Sequence, residues 1–328
     1  MSAAPQKAKP GAEELDVTVS AVVPLNELVT RFEFKRNDGA DFPPFSGGAH
    51  TVVKMQDGER ARLNPYSLMS DPADLSTYAI SVRRDDAGRG GSLFMHQKVS
   101  AGDKMKITYP VNLFSLDLRA KKHIFFAGGI GITPFLAMIG QLEQSNGNWE
   151  LHYSARSAAL GSYVDMLTSK FPTKVHVYYD DQKQAIPLGD LLDGQPLGTH
   201  AYVCGPAGMI SWVHDTAAGM GWPDAHVHSE EFLAPAPGKP FEVRLCQSDK
   251  TITVGENESL LEAMEREGVD APFLCRGGSC GQCETDVVKS DGEFVHRDHW
   301  LDEDQQASGT KIMPCVSRFI GANLELDR

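Results

Sequence analysis

Four cysteines near the C-terminus constrain this chain more than any other feature. Cys275, Cys280 and Cys283 lie in C-R-G-G-S-C-G-Q-C, and Cys315 follows in I-M-P-C-V-S-R. The spacing C-x4-C-x2-C with a distant fourth Cys is the plant-type pattern for a 2Fe–2S cluster. It demands a fold that brings two separated segments to one loop. Gly277, Gly278, Ser279 and Gly281 keep that loop small, so backbone N–H groups can approach the cluster sulfurs. C-G-Q-C alone also fits a redox dithiol or half a zinc site. A structural zinc site, however, usually pairs two C-x2-C knuckles roughly 15–20 residues apart, and here Cys315 has no near companion. Disulfides are not expected, because no signal peptide is legible and the remaining cysteines, Cys204 and Cys246, are isolated. Such a cluster moves one electron at a time, so something upstream must load it and something downstream must take the electron.

The 328 residues leave room for two or three domains. A composition of 41% hydrophobic and 23% charged residues is that of a soluble globular protein. No run of about 18 apolar residues exists, so no membrane span is expected. Residues 1–13 read as a disordered lead without the apolar core of a cleavable signal, and a cytoplasmic protein is expected. The net charge of −13 argues against nucleic acid as a partner. Residues 241–328 carry 9 Lys and Arg against 18 Asp and Glu. An acidic face on a small electron carrier either steers a basic partner or simply keeps the module soluble.

Three segments follow the lead. Residues 14–118 alternate as short strands: L-D-V-T-V-S-A-V-V-P-L, V-T-R-F-E-F, H-T-V-V-K-M, Y-A-I-S-V-R-R and K-M-K-I-T-Y-P. Short strands broken by Gly and Pro suggest an antiparallel barrel. Residues 119–233 change character. H-I-F-F-A-G-G-I-G-I-T-P is continuously apolar, as a buried parallel strand is, and runs through glycines into a helical pattern. W-E-L-H-Y-S-A-R, K-V-H-V-Y-Y-D and H-A-Y-V-C-G-P read as further strands of a βαβ array, hence a parallel sheet. Residues 234–240, A-P-A-P-G-K-P, form a Pro/Gly linker. Residues 241–328 open with F-E-V-R-L, T-I-T-V and the helix S-L-L-E-A-M-E-R-E, where Ser259 and Glu262 have the spacing of a capping box.

Chemistry concentrates in three places besides the cysteines. Ala127–Pro134 is a strand ending in glycines that feeds a helix, and Gly128, Gly129 and Gly131 permit close approach of a pyrophosphate. It is not G-x-G-x-x-G, so it is weak alone. Cys204-Gly205-Pro206 closes what reads as the last strand of the sheet, where ligands of open α/β sheets bind; Cys204 also fits a small buried thiol. In the barrel, Arg62-Leu63-Asn64-Pro65-Tyr66-Ser67-Leu68 and the stretch Arg83–Ser92 offer an aromatic ring, a hydroxyl, guanidinium groups and a glycine turn suited to a flavin phosphate. Surface arginines and a core Tyr66 are the structural alternative. Electron accounting favours the flavin: a nicotinamide delivers a two-electron hydride, the cluster takes single electrons, and a flavin does both.

Y-S-L, G-R-G-G-S, A-G-G-I-G-I-T-P, C-G-P, H-S-E-E-F and the four cysteines, in that order, resemble the phthalate dioxygenase reductase family, and the vanillate demethylase and phenoxybenzoate dioxygenase reductases look similar. The resemblance covers nearly everything after residue 14. It implies a six-stranded antiparallel flavin-binding β-barrel, a parallel-sheet NAD-binding α/β domain and a C-terminal β-grasp ferredoxin domain. It implies FMN, rather than FAD, from the domain order, together with NADH and a terminal Rieske oxygenase partner. Carried over, Tyr66 and Ser67 face the flavin, Ser67 at its reactive edge. Arg83, Arg84, Gly90, Gly91 and Ser92 hold the ribityl phosphate. Gly129, Thr133, Cys204, Gly205 and Pro206 place the nicotinamide nucleotide, and Glu230 and Phe232 close the flavin's other side. Ser67, Cys204 and Glu230 are the candidate catalytic residues, and the four cysteines are the metal ligands. The family commonly has Arg where this chain has Asn64, leaving Arg62, or Arg83 and Arg84, for the phosphate. Arg156, after the second sheet strand with Ser154, could meet a 2′-phosphate, yet the resemblance favours NADH over NADPH. The expected activity is that of an NADH-dependent reductase, and a monomer is plausible. The rival readings are a non-catalytic electron-transfer subunit loaded by another protein and a cluster-bearing sensor. The intact glycine turn and C-G-P disfavour the first, and the lack of a basic patch disfavours the second.

Overall fold

The computed structural model describes residues 13–58, 60–233 and 237–328, with Arg60 described by its backbone alone. All but the last residue of the expected lead, and residues 234–236 of the expected linker, lie outside these. The described residues divide into two compact units: Glu14–Asp85 with Ser92–Phe232, and Leu233–Arg328 with Asp86–Gly91. Among the described residues no helix is long and apolar enough to cross a membrane.

The first unit begins with an antiparallel sheet. Its strands are β1 (Glu14–Pro24), β2 (Val29–Arg36), β3 (Ala49–Asp57), β4 (Arg60–Ser67), β5 (Tyr78–Arg83) and β6 (Lys104–Thr108), with short β7 (Val111–Asn112) paired to β3 and helix α1 (Gly91–Lys98) between β5 and β6. The order is β4-β3-β6-β1-β2-β5. The sheet curls until its ends approach, and Met69 N, just past β4, donates to Ala79 O on β5 at 3.0 Å. It is a nearly closed six-stranded barrel. Period-two burial drives the curl: Leu15, Val17 and Val19 on β1 turn inward with Phe32, Phe34, Val53, Met55, Ile80 and Ile107.

The same unit continues into a doubly wound domain. Strands β8 (Lys122–Gly128), β9 (Trp149–Ala155), β10 (Val175–Tyr179), β11 (Thr199–Cys204) and β12 (Val227–Glu230) alternate with helices α2 (Thr133–Gln144), α3 (Val164–Lys170), α4 (Leu188–Leu192) and α5 (Ala207–Gly219). All pairings are parallel and the order is β10-β9-β8-β11-β12. The continuous apolar run of β8 has a direct cause. Phe125 and Ala127 pack with Phe135, Met138 and Leu142 of α2, while Ile124 and Phe126 pack with Leu188, Leu192, Val213 and Ala217 of α4 and α5. The strand is covered on both faces and has no polar side to show. The order reverses between β8 and β11, which puts their C-terminal ends at the switch point where open α/β sheets bind ligands. Barrel and sheet are fastened together: Gly47 N donates to Gln141 Oε1 at 2.8 Å, and Ser81 Oγ lies 2.6 Å from Tyr163 Oη.

The second unit contains β13 (Phe241–Leu245), β14 (Lys250–Val254), helix α6 (Leu260–Arg266), β15 (Thr285–Ser290), β16 (Glu293–Val295), helix α7 (Glu303–Ser308), β17 (Lys311–Ile312), β18 (Arg318–Ile320) and β19 (Leu324–Leu326). A mixed sheet runs β14-β13-β19-β15-β17, beside the pair β16-β18. Leu260, Leu261, Ala263 and Met264 of α6 are buried with Val243, Ile252 and Phe319. The capping box forms as the spacing predicts: Glu262 N donates to Ser259 Oγ at 3.1 Å, and Ser259 N to Glu262 Oε2 at 2.8 Å.

Candidate functional site

The barrel wall comes first. The stretch read only as a flavin holder is β4, lying at one end of the strand order, where Pro65 removes no ladder bond. Residues alternate along it, so Arg62, Asn64 and Tyr66 share one face and Ser67 takes the other. Arg62 Nη2 meets Asp57 Oδ2 at 3.2 Å, and Asn64 Nδ2 donates to Tyr66 Oη at 3.2 Å. Burial pushes the Tyr66 hydroxyl up to about 12, against the Asn64 hydrogen bond. Ser67 sits directly across from His50 on β3. Ser67 Oγ and His50 Nε2 are both buried without a hydrogen-bond partner. Two adjacent orphaned polar atoms on one wall are what a polar ligand would satisfy. No motif marked His50; only its register opposite Ser67 reveals it.

The expected phosphate segment is less uniform. Arg83 is exposed at the end of β5, and Arg84 N donates to Leu28 O at 2.7 Å. Gly90 has φ +93°, Gly91 starts α1, and Ser92 Oγ accepts from Asp85 N at 3.0 Å. Asp86–Gly91 groups with the second unit, where Arg89 Nη1 lies 2.6 Å from Glu262 Oε2.

In the α/β domain the structure joins the two motifs that the sequence could only place in order. A Cβ on Gly128 would lie 2.7 Å from Pro206 Cδ and 3.2 Å from Gly205 Cα. A Cβ on Gly131 would lie 2.5 Å from Cys204 C and 2.9 Å from Gly205 N. The glycine turn therefore rests backbone to backbone on Cys204-Gly205-Pro206. Gly129 adopts φ +54° with open space around it. Thr133 starts α2, and its hydroxyl donates to Ile130 O at 3.0 Å.

H-S-E-E-F contributes an unforeseen strand, β12, which pairs Glu230 with Cys204. Glu230 Oε2 is buried without a hydrogen-bond partner, and that burial pushes its carboxyl up to about 8. Burial, with Glu230 and Glu231 nearby, drives the Cys204 thiol well above its usual value, so burial favours the protonated form of both groups. Phe232, two residues on, is 46% exposed. At the neighbouring strand ends, Ser154 Oγ donates to Asp180 Oδ1 at 3.2 Å.

The second unit gathers all four cysteines. Cys283 Sγ lies 3.2 Å from Cys315 Sγ, and Cys275 and Cys280 lie close enough for each thiol to perturb the other. Among the described residues no three His, Cys, Asp or Glu converge as ligands of a single ion. Two sulfur pairs suit two irons, each taking two thiolates, better than one zinc. Within each pair one thiol stabilises its neighbour's thiolate: Cys275 and Cys283 are held low, Cys280 and Cys315 are pushed up. Backbone N–H groups supply the rest. Gly277 N reaches Cys275 Sγ at 3.3 Å, and the peptides of Ser279 and Cys280 favour the Cys275 thiolate as that of Gly278 favours the Cys315 thiolate. The cradle has no spare room. A Cβ on Gly278 (φ +76°) would lie 2.8 Å from Val316 Cγ2, and one on Gly281 (φ +73°) 2.5 Å from Trp300 Cζ2. Arg276, buried at φ +53°, pins the loop through Glu265 Oε2 at 3.0 Å. The donor set and the close-fitting backbone fit a 2Fe–2S group.

The comparisons with known proteins agree with this geometry. The 2Fe-2S iron-sulfur cluster binding domain family matches residues 243–319. The N-terminal domain family of the dimethylamine monooxygenase subunit DmmA-like proteins matches residues 104–227. The chain is 43% identical over 313 residues to the heme-dependent oxidative N-demethylase beta subunit of Ectopseudomonas mendocina, covering 95% of this chain and 98% of that one. It is 43% identical over 317 residues to the carnitine monooxygenase reductase subunit of Acinetobacter baumannii, covering 96% and 98%. The solved structure of phthalate dioxygenase reductase, described as modular for electron transfer from pyridine nucleotides to [2Fe-2S], superimposes with a TM-score of 0.88 at 34% identity, over 96% of this chain and 98% of that one. With such identity sustained over nearly the whole length, and with the barrel, the doubly wound sheet and the four-cysteine unit in the same order, this chain belongs to the phthalate dioxygenase reductase family.

Proposed function

We propose that this chain is the reductase component of an oxygenase or demethylase system, carrying electrons from NADH through FMN and a 2Fe–2S cluster to a terminal Rieske oxygenase. The observation that carries the reading is the presence on one chain of a nucleotide turn seated on Cys204-Gly205-Pro206 and a cradle of paired sulfurs. FMN, held there, would supply the switch between two-electron hydride chemistry and single-electron transfer. Everything else is positioning by the protein. Ser67 and Tyr66 line the flavin, with the unpaired Ser67 hydroxyl and His50 ring ready to bond it. Arg62, Asn64, Arg83, Arg84 and Ser92 are assigned to its phosphate side. Gly129, Thr133, Cys204, Gly205 and Pro206 hold the nicotinamide nucleotide, with Phe232 closing the flavin's far side. Asp180, receiving the Ser154 hydroxyl, favours NADH, because its carboxylate suits a ribose diol and repels a 2′-phosphate. Cys275, Cys280, Cys283 and Cys315 ligate the irons. The protein acts in the cytoplasm as a monomer.

The 43% identity with a heme-dependent N-demethylase beta subunit favours a second reading of the acceptor alone, in which a heme-dependent oxygenase takes the electrons. Electron delivery to a panel of purified Rieske and heme oxygenases separates the two. The core proposal is tested by anaerobic NADH titration. Flavin absorbance should bleach first, and a rhombic EPR signal should follow. Bleaching without that signal would refute the relay.

Glu230 makes the chemistry pH-dependent. Its carboxyl, raised to about 8 by burial, favours the protonated form on the nicotinamide side at neutral pH. The charged form is the disfavoured one, so it accumulates only above about pH 8. A carboxylate there opposes arrival of hydride density. In stopped-flow traces the NADH-driven bleaching rate should be level below this pH and fall above it, by up to about tenfold per unit. Glu230→Gln, neutral at every pH, should flatten the profile; an unchanged fall in that variant would place the titration elsewhere.

A further inference from the structure

The segment H-R-D-H-W, residues 296–300, lies against the cysteine loop, and no motif called attention to it. Asp298 is its centre. The side chain is fully buried, which pushes its carboxyl up, yet its partners outweigh burial and hold it below the usual carboxylate range. Those partners are the His296 ring, with Nδ1 3.6 Å from Oδ1, Leu301 N donating to Oδ2 at 2.9 Å, and Ser317 Oγ donating to Oδ1 at 3.0 Å. The Asp298 backbone touches the cradle itself: a Cβ on Gly278 would lie 3.1 Å from Asp298 Cα and 3.3 Å from its Cβ. His299 N donates to Gly278 O at 3.1 Å, and the Gly278 peptide favours the Cys315 thiolate. One carboxylate thus organises the turn that carries Trp300 over Gly281, the residues just after Cys315, and the packing against Gly278 in the ligand loop. Arg318 on the neighbouring β18 does not neutralise this carboxylate with its guanidinium, which is spent on the carbonyls of Glu258, Gly238, Lys239 and Gly255.

We propose that Asp298 is the positioning residue that sets the cluster's reduction potential, its buried negative charge making the cluster harder to reduce and a stronger donor to the oxygenase. The inference rests on the cluster reading of the four cysteines. Its basis is electrostatic: adding an electron beside a fixed charge of the same sign costs Coulomb energy in a poorly screened interior, and nearby charge and hydrogen bonding tune such clusters.

The test is an EPR-monitored redox titration of the holoenzyme. Asp298→Asn keeps the shape and can keep the hydrogen bonds, because Ser317 can rotate to accept from the new amide. It should shift the reduced-to-oxidised ratio at fixed potential about tenfold toward reduced, ~59 mV for one electron. Ser317→Ala removes one hydrogen bond and leaves the charge, so its potential should match the wild type. If Asp298→Asn does not assemble the cluster, His296→Lys, which sets a fixed cation beside the carboxylate, should shift the potential in the same positive direction. An unchanged potential in an assembled Asp298→Asn or His296→Lys protein overturns the inference. So does an equal shift in Ser317→Ala, and so does loss of the cluster from both charge variants while Ser317→Ala keeps it. A wild-type holoenzyme with no rhombic signal after dithionite overturns the cluster reading instead, a result distinguishable from all of these.

Discussion

Replacing Cys280 with Ser should yield a protein that still reduces dyes with NADH but passes no electrons to an oxygenase. The argument starts from the sulfur pairs. Cys280 and Cys275 lie close enough to perturb each other, and that pair provides two of the four thiolates. A serine hydroxyl at neutral pH keeps its proton and is a poor replacement for a soft thiolate ligand. Losing even an outer-shell partner of a metal ligand costs roughly 10–100-fold in affinity or activity; losing a ligand itself should bring occupancy below detection. The flavin-facing and nucleotide-facing residues Ser67, Tyr66, Gly129, Cys204 and Glu230 all belong to the other compact unit. Their contacts are untouched, so dye reduction should stay within about twofold of wild type, a change too small to register as lost positioning. Absorbance spectra, EPR after dithionite and NADH-to-dye turnover read the three consequences separately. Simultaneous loss of cluster signal and dye reduction would mean that the sites are not modular. Because metal binding and folding are coupled, the variant's C-terminal unit should also melt earlier than that of the loaded wild type.

Legibility in the sequence followed how locally each feature is specified. The five strands read in the barrel segment and the four in the α/β segment were visible because period-two alternation, or a continuous apolar run, is written into consecutive residues. β4 was not read as a strand, because Pro65 and the polar run around it mask the alternation of an edge strand. β12, with only four residues, was absorbed into a motif. β15 to β19 carry little apolar periodicity of their own, since two to six residues each suffice once the sheet is assembled around α6. The site divides in the same way. The cysteine spacing and the glycine turn are local patterns. The partnerships of His50 with Ser67, Cys204 with Glu230 and Gly131 with Cys204 are set by register and close packing between distant segments. Asp298 stayed hidden for that reason too: its role depends on Gly278 and Ser317, which lie elsewhere in the chain.

Gly131→Ala should abolish most NADH-driven reduction while leaving both redox centres loaded and reducible by dithionite. The backbone of Gly131 is not in the left-handed region, so conformational preference gives alanine no reason to fail there. Space does. The added methyl would press on Cys204 O, lie 2.5 Å from Cys204 C and sit 2.9 Å from Gly205 N. These are backbone atoms at the end of a buried strand, and they cannot rotate aside as a side chain could. Ordinary carbon contacts need roughly 3.5–4.0 Å, so the turn and Cys204-Gly205-Pro206 must part by about an ångström. Overpacking of this kind costs about 1–3 kcal/mol, which a sheet covered by helices on both faces can survive. A displacement of about 1 Å between reacting groups costs on the order of 100-fold in rate, which hydride transfer cannot hide. Gly129→Ala supplies the contrast. Its Cβ would meet nothing, and only its φ of +54° resists the change, a strain of order 1–3 kcal/mol. Stopped-flow bleaching by NADH should therefore be far slower in Gly131→Ala than in Gly129→Ala, with equal dithionite-reduced spectra. Wild-type bleaching in Gly131→Ala would show that the nucleotide does not rely on this meeting of the two loops.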